Sequence, residues 1–305
     1  MNKAFVLGAG LGERLRPLTE QLPKPLIPVF HKPLITYAFD HLRAAGAREF
    51  IVNTHHLAAS YGQHFPSGDY AGAPLHFRHE TVRLETAGGL ANVRDLLDGE
   101  DNFIVYNGDI LTDLPLQRLI AEHESKQNLV TLALRSHGPA LHISIDGDLV
   151  SDIRNKLGTG NSGTHLFTGI YMVSPSFFEH LTPGKIESVI PIFLERIQAG
   201  DRIGAAVIDD GQWWDLGTRE AYLDAHRHFN GLAPLPAISV DAHVSRETRQ
   251  RGLNVIGPDA EVAAGAQIED CILWPGARVD SSARLRRCIV RSGITAGGIH
   301  DNKDF

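Results

Sequence analysis

Gly8, Gly10, Gly12, Arg14, Arg16 and Lys24 fall within one 20-residue stretch, LGAGLGERLRPLTEQLPKPL at positions 7–26. Glycines lack Cβ, so around Gly8, Ala9, Gly10 and Gly12 the backbone can take positive φ and bring N–H groups close to a ligand. Arg14 and Arg16 add positive charge. Lys24 stands between Pro23 and Pro25, which restrict the backbone around its ammonium to an extended form. The chemistry that suits this set is the binding of a polyphosphate. The spacing is not a dinucleotide fingerprint, whose helix begins inside the glycines, nor a Walker A loop, which ends in G-K-[ST]. A second candidate is Asp109 in Asn107-Gly108-Asp109, directly after the apolar run 103–106. Ligands bind beyond the carboxyl ends of strands in open α/β sheets, and a carboxylate there suits a hard divalent cation.

Positioning these residues requires a frame. Residues 4–7 read as a buried first strand that ends at the glycines. Leu34, Ile35, Tyr37, Ala38, Leu42 and Ala45 recur at helical spacing, with Gly46 as a stop. Strands near 50–52, 75–78, 103–106 and 129–134 alternate with helices over 57–64 and 115–126. A helix over 187–199 and a strand over 203–208 follow. This βαβ alternation predicts an α/β fold, a Rossmann-like, mostly parallel sheet with helices on both faces. Gly88 and Gly89 are predicted just ahead of a helix marked by Leu90, Val93, Leu96 and Leu97, where a flat ring can approach; capping by Thr86 is the competing reading. Residues 136–165 show no clear period. Trp213 and Trp214 suit core packing, and Thr218 suits the cap of a helix ending near residue 229.

After a linker at 230–236 (NGLAPLP) the period changes. Asn254, Cys271 and Cys288 begin matching segments 17 residues apart, and Ile256, Val262 and Ile268 continue a hexad-like apolar spacing, which predicts a β-helix of a few coils. The predicted division is 1–230 for the catalytic domain, 237–296 for a short left-handed β-helix and 297–305 for a frayed tail. A short solenoid has open ends, which favours a homo-oligomer as cover. Stacked in successive coils, the two cysteines read as buried structural thiols.

The 305 residues are 43% hydrophobic and 21% charged, with net charge −7 and two cysteines. That balance argues against a nucleic-acid polymer as partner, and no apolar run approaches a membrane span. The N-terminus enters a strand without a secretory pattern, and two cysteines make no disulfide framework, so a cytoplasmic location is expected. The histidines, among them His55, His56, His137, His142 and His165, lack metal-ligand spacing and read as surface or sugar-contacting groups.

G-x-G-x-R-L-x-P-L-T over residues 10–19, followed by P-K-P-L over 23–26, resembles the signature of the sugar-1-phosphate nucleotidyltransferases, or nucleoside-diphosphate-sugar pyrophosphorylases. The resemblance implies reaction of a nucleoside triphosphate with a sugar 1-phosphate to give a nucleotide sugar and pyrophosphate, with Mg²⁺. It implies Arg14, Lys24 and Asp109 as catalytic residues, and Gly8, Ala9, Gly10, Gly12, Glu80, Gly88 and Gly89 at the nucleotide. Asp215, in Trp213-Trp214-Asp215-Leu216-Gly217-Thr218, becomes a second Mg²⁺ ligand beside Asp109. Phe167-Thr168-Gly169-Ile170 matches the family's sugar-side strand, so Thr168 and Gly169 are implied at the sugar phosphate. Most members carry Glu-Lys-Pro ahead of that strand; this sequence does not, and Lys156 is the nearest basic residue. The loop and β-helix are similar to mannose-1-phosphate guanylyltransferases, whereas the versions around Gly88, Asp109 and Thr168 are similar to muramate-type uridylyltransferases. A non-catalytic regulatory subunit of the same fold is the alternative from another class, and the retained Arg14, Lys24, Asp109 and Asp215 favour the enzyme. An NAD-dependent oxidoreductase is disfavoured by Pro17 and by the missing helix after the glycines.

Overall fold

A computed structural model describes residues 2–99, 101–230 and 235–305. The chain divides into two compact units, Met1–Gly10 with Ile35–Trp213, and Leu11–Leu34 with Trp214–Phe305. These boundaries cut the glycine-rich stretch and the Trp-Trp-Asp segment rather than falling at residue 230. Of the expected linker, residues 231–234 lie outside the described residues. Among the described residues no helix is long and apolar enough to cross a membrane.

The first unit comprises β1 (Lys3–Leu7), α1 (Ile35–Ala44), β2 (Glu49–Thr54), α2 (Ala59–His64), β3 (Ala73–His79), α3 (Glu85–Asn92), β4 (Phe103–Asn107), α4 (Leu116–Lys126), β5 (Val130–Arg135), β6 (Ile143–Asp146), β7 (Leu149–Ile153), β8 (Leu166–Val173), α5 (Val189–Gln198) and β9 (Ile203–Val207). The strands order as β6-β7-β9-β5-β8-β4-β1-β2-β3, with Asp69–Tyr70 at the β3 edge. β1 runs parallel to both β2 and β4, β2 to β3, and β5 to β9; β8 lies antiparallel between β4 and β5. This is the α/β sheet expected. Phe5, Val6, Phe103, Ile104 and Val105 are fully buried because both faces of these central strands are covered. The chain winds outward from β1 through β2 to β3 and returns to β4 on the other side of β1. The crevice between the carboxyl ends of β1 and β4 is therefore a topological switch point, the usual ligand position in such sheets.

Residues 136–165, without a readable period, hold the antiparallel β6–β7 hairpin. Edge strands carry polar residues on their open side, which masks the alternation. Near the end of β7, the buried Asp152 carboxylate accepts from the N–H groups of Ile153, Leu157 and Thr159 and from the Thr159 hydroxyl, fixing the turn that carries Lys156.

In the second unit, Thr218 caps α6 (Arg219–Phe229) by accepting from Ala221 N–H at 3.2 Å, as expected. The C-terminal part is the β-helix, three sheets of short parallel strands. Val255 pairs with Ile272 and Ile272 with Ile289, which is the 17-residue repeat. Cys271 and Cys288 are fully buried free thiols in its core. The tail is not frayed. Ile299–Asp301 pairs with Arg284–Arg286, the Arg219 guanidinium bonds the Asp304 carboxylate at 2.7 Å, and Phe305 packs against the core. Its short strand closes a coil that the 17-residue spacing does not reveal, since Ile299 lies only 15 residues beyond its partner Arg284.

Segment 11–34 belongs to this unit through buried polar contacts. Tyr222 Oη donates to the Pro28 carbonyl, and Trp274 Nε1 donates to Tyr222 Oη at 3.1 Å. His226 receives the Phe30 N–H on Nε2 at 3.3 Å and faces the Tyr222 carbonyl with Nδ1 at 2.8 Å. A carbonyl only accepts and an N–H only donates, so the ring is neutral with its proton on Nδ1. Burial lowers the His226 pKa to about 4. A folded pKa below the unfolded value of 6.5 means that protons favour the unfolded chain. Stability is full above about pH 6.5 and falls as pH drops towards 4, by on the order of 3 kcal/mol from this residue. Thermal unfolding of His226→Gln should show a shallower acid limb over that window than the parent; equal slopes would assign the loss to other groups.

Candidate active site

At the switch point the strand ends touch. Gly108 N–H donates to the Leu7 carbonyl at 2.9 Å, and a Cβ on Gly108 would stand 2.8 Å from that oxygen. Only glycine fits between Asn107 and Asp109. Asp109 therefore leaves the β4 end where the crevice opens, as its position in the sequence predicts. The Asn107 amide packs over Gly169, whose φ of +81° and missing Cβ make room for it. β8 slips register against β5 between Phe167 and Tyr171, which marks Thr168-Gly169 as a bulge. The Thr168 hydroxyl donates to Ala133 O and the Thr168 carbonyl accepts from Trp213 Nε1, both at 2.8 Å. Asn107, Asp109, Thr168 and Gly169 are thus one neighbourhood. Lys156 follows three residues after Ile153, which pairs with Ile143, which bridges His165 ahead of β8; these pairings do not themselves bring Lys156 to Thr168 and Gly169.

On the other side of β1, a buried polar chain fixes the start of the glycine-rich stretch. Asn53, at the β2 end, accepts from Gly8 N–H through Oδ1 and donates through Nδ2 to Glu80, both at 2.8 Å; Glu80 accepts from Leu84 N–H at 2.9 Å. Tyr61 Oη donates to Gly8 O at 2.9 Å. Burial raises the Tyr61 pKa, with the Asp109 charge as a smaller second cause, so the phenol stays a donor. Sequence reasoning missed Asn53 and Tyr61. Asn53 had a signal, a polar residue at the end of an apolar strand; Tyr61 had none.

Several local expectations change. Gly8 and Gly10 do not take positive φ; Gly12 does, at +64°. Gly8 is instead a packing glycine, with Asn53 O and Tyr61 Oη where a Cβ would stand, whereas beside Gly10 the space is open. Gly88 and Gly89 lie inside α3, not ahead of it. A Cβ on Gly88 would overlap the Lys185 carbonyl oxygen, and one on Gly89 would sit 2.9 Å from Asn53 Nδ2. Close helix packing gives both glycines their reason. Thr86 is no cap; its hydroxyl accepts from Val189 N–H. Glu80 is 2% exposed, with both oxygens engaged by protein groups, which makes it an orienting residue.

The remaining predicted residues gather in the second unit. Lys24 begins a short 3-10 turn, Lys24–Leu26, rather than an extended segment. Its ammonium bonds Asp215 Oδ1 at 3.1 Å, and Arg14 Nη2 stands 3.9 Å from Asp215 Oδ2. The Lys24 side chain is 8% exposed against 70% for Arg14. Two glycines let the three groups approach. A Cβ on Gly12 would lie 2.7 Å from Thr19 Cγ2 and 3.2 Å from Lys24 Cβ; one on Gly217 would lie 2.6 Å from Arg14 Nη2. Among the described residues no three His, Cys, Asp or Glu side chains gather as a metal cage. Asp109 in the first unit and Asp215 in the second each offer carboxylate oxygens of the kind a hard divalent cation takes.

A family model described as Nucleotidyl transferase matches residues 3–230. The chain belongs to the nucleotidyl transferase family. It is 28% identical over 301 residues to the mannose-1-phosphate guanylyltransferase of Mycobacterium tuberculosis, covering 93% of this chain and 83% of that one. It is 32% identical over 222 residues to the N-acetylmuramate alpha-1-phosphate uridylyltransferase of Neisseria meningitidis, covering 71% and 93%. A solved UDP-glucose pyrophosphorylase from Acinetobacter shares the fold, with a TM-score of 0.64 at 19% identity over 77% of this chain and 95% of that one. The nucleotidyl transferase reading of the sequence, a sugar-1-phosphate enzyme, is borne out.

The buried Asn53 bridge makes a direct prediction. Asn53→Leu keeps the volume but leaves the Gly8 N–H and a Glu80 oxygen without partners, so urea unfolding should report a loss of about 3 kcal/mol. A loss below about 0.5 kcal/mol would mean that water replaces the amide and the bridge fixes nothing.

Proposed function

We propose that the protein transfers a nucleotidyl group from GTP to mannose 1-phosphate, releasing pyrophosphate. The supporting observation is the 93% coverage of this chain by the guanylyltransferase match, which must include most of the residues beyond 230 and hence the β-helix. The second reading is uridylyl transfer to N-acetylmuramate or another hexose 1-phosphate, favoured by the higher identity of the 222-residue match.

Attack of the sugar phosphate oxygen on the α-phosphorus needs in-line placement and charge neutralisation, not a covalent protein nucleophile. Arg14, exposed on its turn, takes the departing pyrophosphate. Lys24 takes the reacting phosphates, exchanging Asp215 for a phosphate oxygen. A divalent cation, Mg²⁺ in this proposal, supplies further neutralisation of phosphate charge when bound, with Asp109 and Asp215 as its carboxylate ligands. Gly8, Ala9, Gly10, Gly12, Gly88 and Gly89 shape the nucleotide side, with Glu80 holding that wall through Asn53. Thr168, Gly169 and Lys156 serve the sugar phosphate. A cytoplasmic setting belongs to the proposal and is supported by the two unbridged thiols.

Pyrophosphate release from the four common triphosphates, each with mannose, glucose and N-acetylmuramate 1-phosphates, tests the substrate choice. The fastest pair should be GTP with mannose 1-phosphate, and a UTP pair would establish the second reading. Asp109→Asn and Asp215→Asn should each lower turnover about a hundredfold or more while circular dichroism is unchanged. Near-normal turnover in either would remove that residue from the site.

We also propose a homo-oligomer through one β-helix face. Its outward column reads Arg251, Glu269, Arg286 and Asp301 on successive coils, alternating in sign. A two-fold axis along the strands sets this column against its own reverse, so every charge meets its opposite in a second copy. Arg251→Glu should lower the mass measured by light scattering, and adding Asp301→Arg should restore it. A mass unchanged by Arg251→Glu would rule this face out.

A further inference from the structure

The last coil of the β-helix holds the phosphate-binding loop by direct bonds. Arg291 donates from Nη1 to the Pro17 carbonyl at 3.0 Å and lies 3.9 Å from the Glu20 carboxylate; its Nε donates to Phe305 O at 2.6 Å. Beside it, Gln21 Nε2 donates to Ser292 O at 2.9 Å. Pro17 precedes the helical turn Leu18–Gln21, which contains Glu20 and Gln21, and Glu20 N–H closes on Pro17 O. Within that turn Thr19 Oγ1 donates to Gly12 O at 2.9 Å. Gly12 opens the turn that carries Arg14, and its α-carbon faces Thr19 and Lys24. The bonds therefore run without a gap from Arg291 through Pro17 and Thr19 to Gly12, the neighbour of both Arg14 and Lys24.

We propose that Arg291 is a positioning residue for nucleotidyl transfer, and that the β-helix acts as a splint for the loop bearing Arg14 and Lys24. Three physical points carry this. The turn Leu18–Gln21 has four residues, too few to be stable alone, so its geometry comes from what it docks against. Arg291 is 19% exposed while Glu20 is 58% exposed, so the arginine is the fixed member of the pair. Its guanidinium meets the loop at a backbone carbonyl, a contact that sets main-chain position whatever side chain the loop carries. A shift of about 1 Å in groups that must meet a phosphate in line costs on the order of a hundredfold in rate.

The inference rests on the proposed transfer reaction, and two measurements on the full chain keep the two separate. The first needs no substrate: hydrogen exchange at the amides of residues 12–26 should quicken by tenfold or more in Arg291→Gln, with the first unit's sheet unchanged. The second is steady-state pyrophosphate release with the preferred pair. Arg291→Gln should lower kcat by ten- to a hundredfold with a change in sugar 1-phosphate KM below about threefold, and Arg291→Lys should recover part of kcat. Because Arg291→Gln also removes a contact within the coil, Gln21→Ala serves as the mild variant, with a smaller fall in kcat at an unchanged melting temperature. Unchanged exchange in Arg291→Gln would overturn the splint. So would quickened exchange at normal kcat, or a loss of kcat that tracks melting temperature across all three variants without recovery in Arg291→Lys. A parent that releases no pyrophosphate from any pair would defeat the proposed reaction, while the exchange result would still decide the splint.

Discussion

Peptide groups at the carboxyl ends of β1, β2 and β4 have lost their ladder partners and are held away from water, and the first unit is arranged to satisfy them. The Asn53 side chain meets a donor on one side and an acceptor on the other, and Glu80 passes the connection on to Leu84. Gly108 joins β4 to β1 by a bond that no larger residue permits. An unpaired buried donor costs about as much as the net gain from two ordinary hydrogen bonds, so these loops have one low-energy path.

The second unit solves a different problem. A lysine that is almost entirely buried needs a counter-charge, and Asp215 supplies it while remaining 41% exposed. The pair is one-sided: the cation is held by burial, and the anion faces solvent with Arg14 alongside. The pairing spares the lysine the penalty of a bare buried charge. Lys24 is held by this pairing and by the close approach of Gly12.

Much of this was legible in the sequence. Continuous apolar runs gave the central strands, because strands buried on both faces have no alternation to lose. The position of Asp109 followed from the strand before it. The 17-residue spacing of Asn254, Cys271 and Cys288 showed the β-helix because each coil must repeat its inward residues. What stayed hidden depends on contacts distant along the chain. Gly88 and Gly89 read as the approach to a helix because the Lys185 carbonyl and the Asn53 amide that require them lie far away in sequence. The edge hairpin lacked a period, and the final coil differed in length from the others. His226 read as one histidine among many until its two backbone partners were placed. Arg291 gave no sign that its carbonyl partner is 274 residues earlier.

Those separations have a consequence for synthesis. Segment 11–34 is among the first parts of the chain to be made, yet its partners Tyr222 and Arg291 follow about 200 to 270 residues later. At ribosomal speeds of roughly 5–20 residues per second, the loop waits on the order of tens of seconds for them. The parallel sheet of the first unit can assemble during that interval from residues already present. Segment 11–34 cannot, and contacts of such long range form late. A nascent chain can thus have its sheet long before the segment bearing Arg14 and Lys24 meets the residues it docks against, the last of which come with the closing coil.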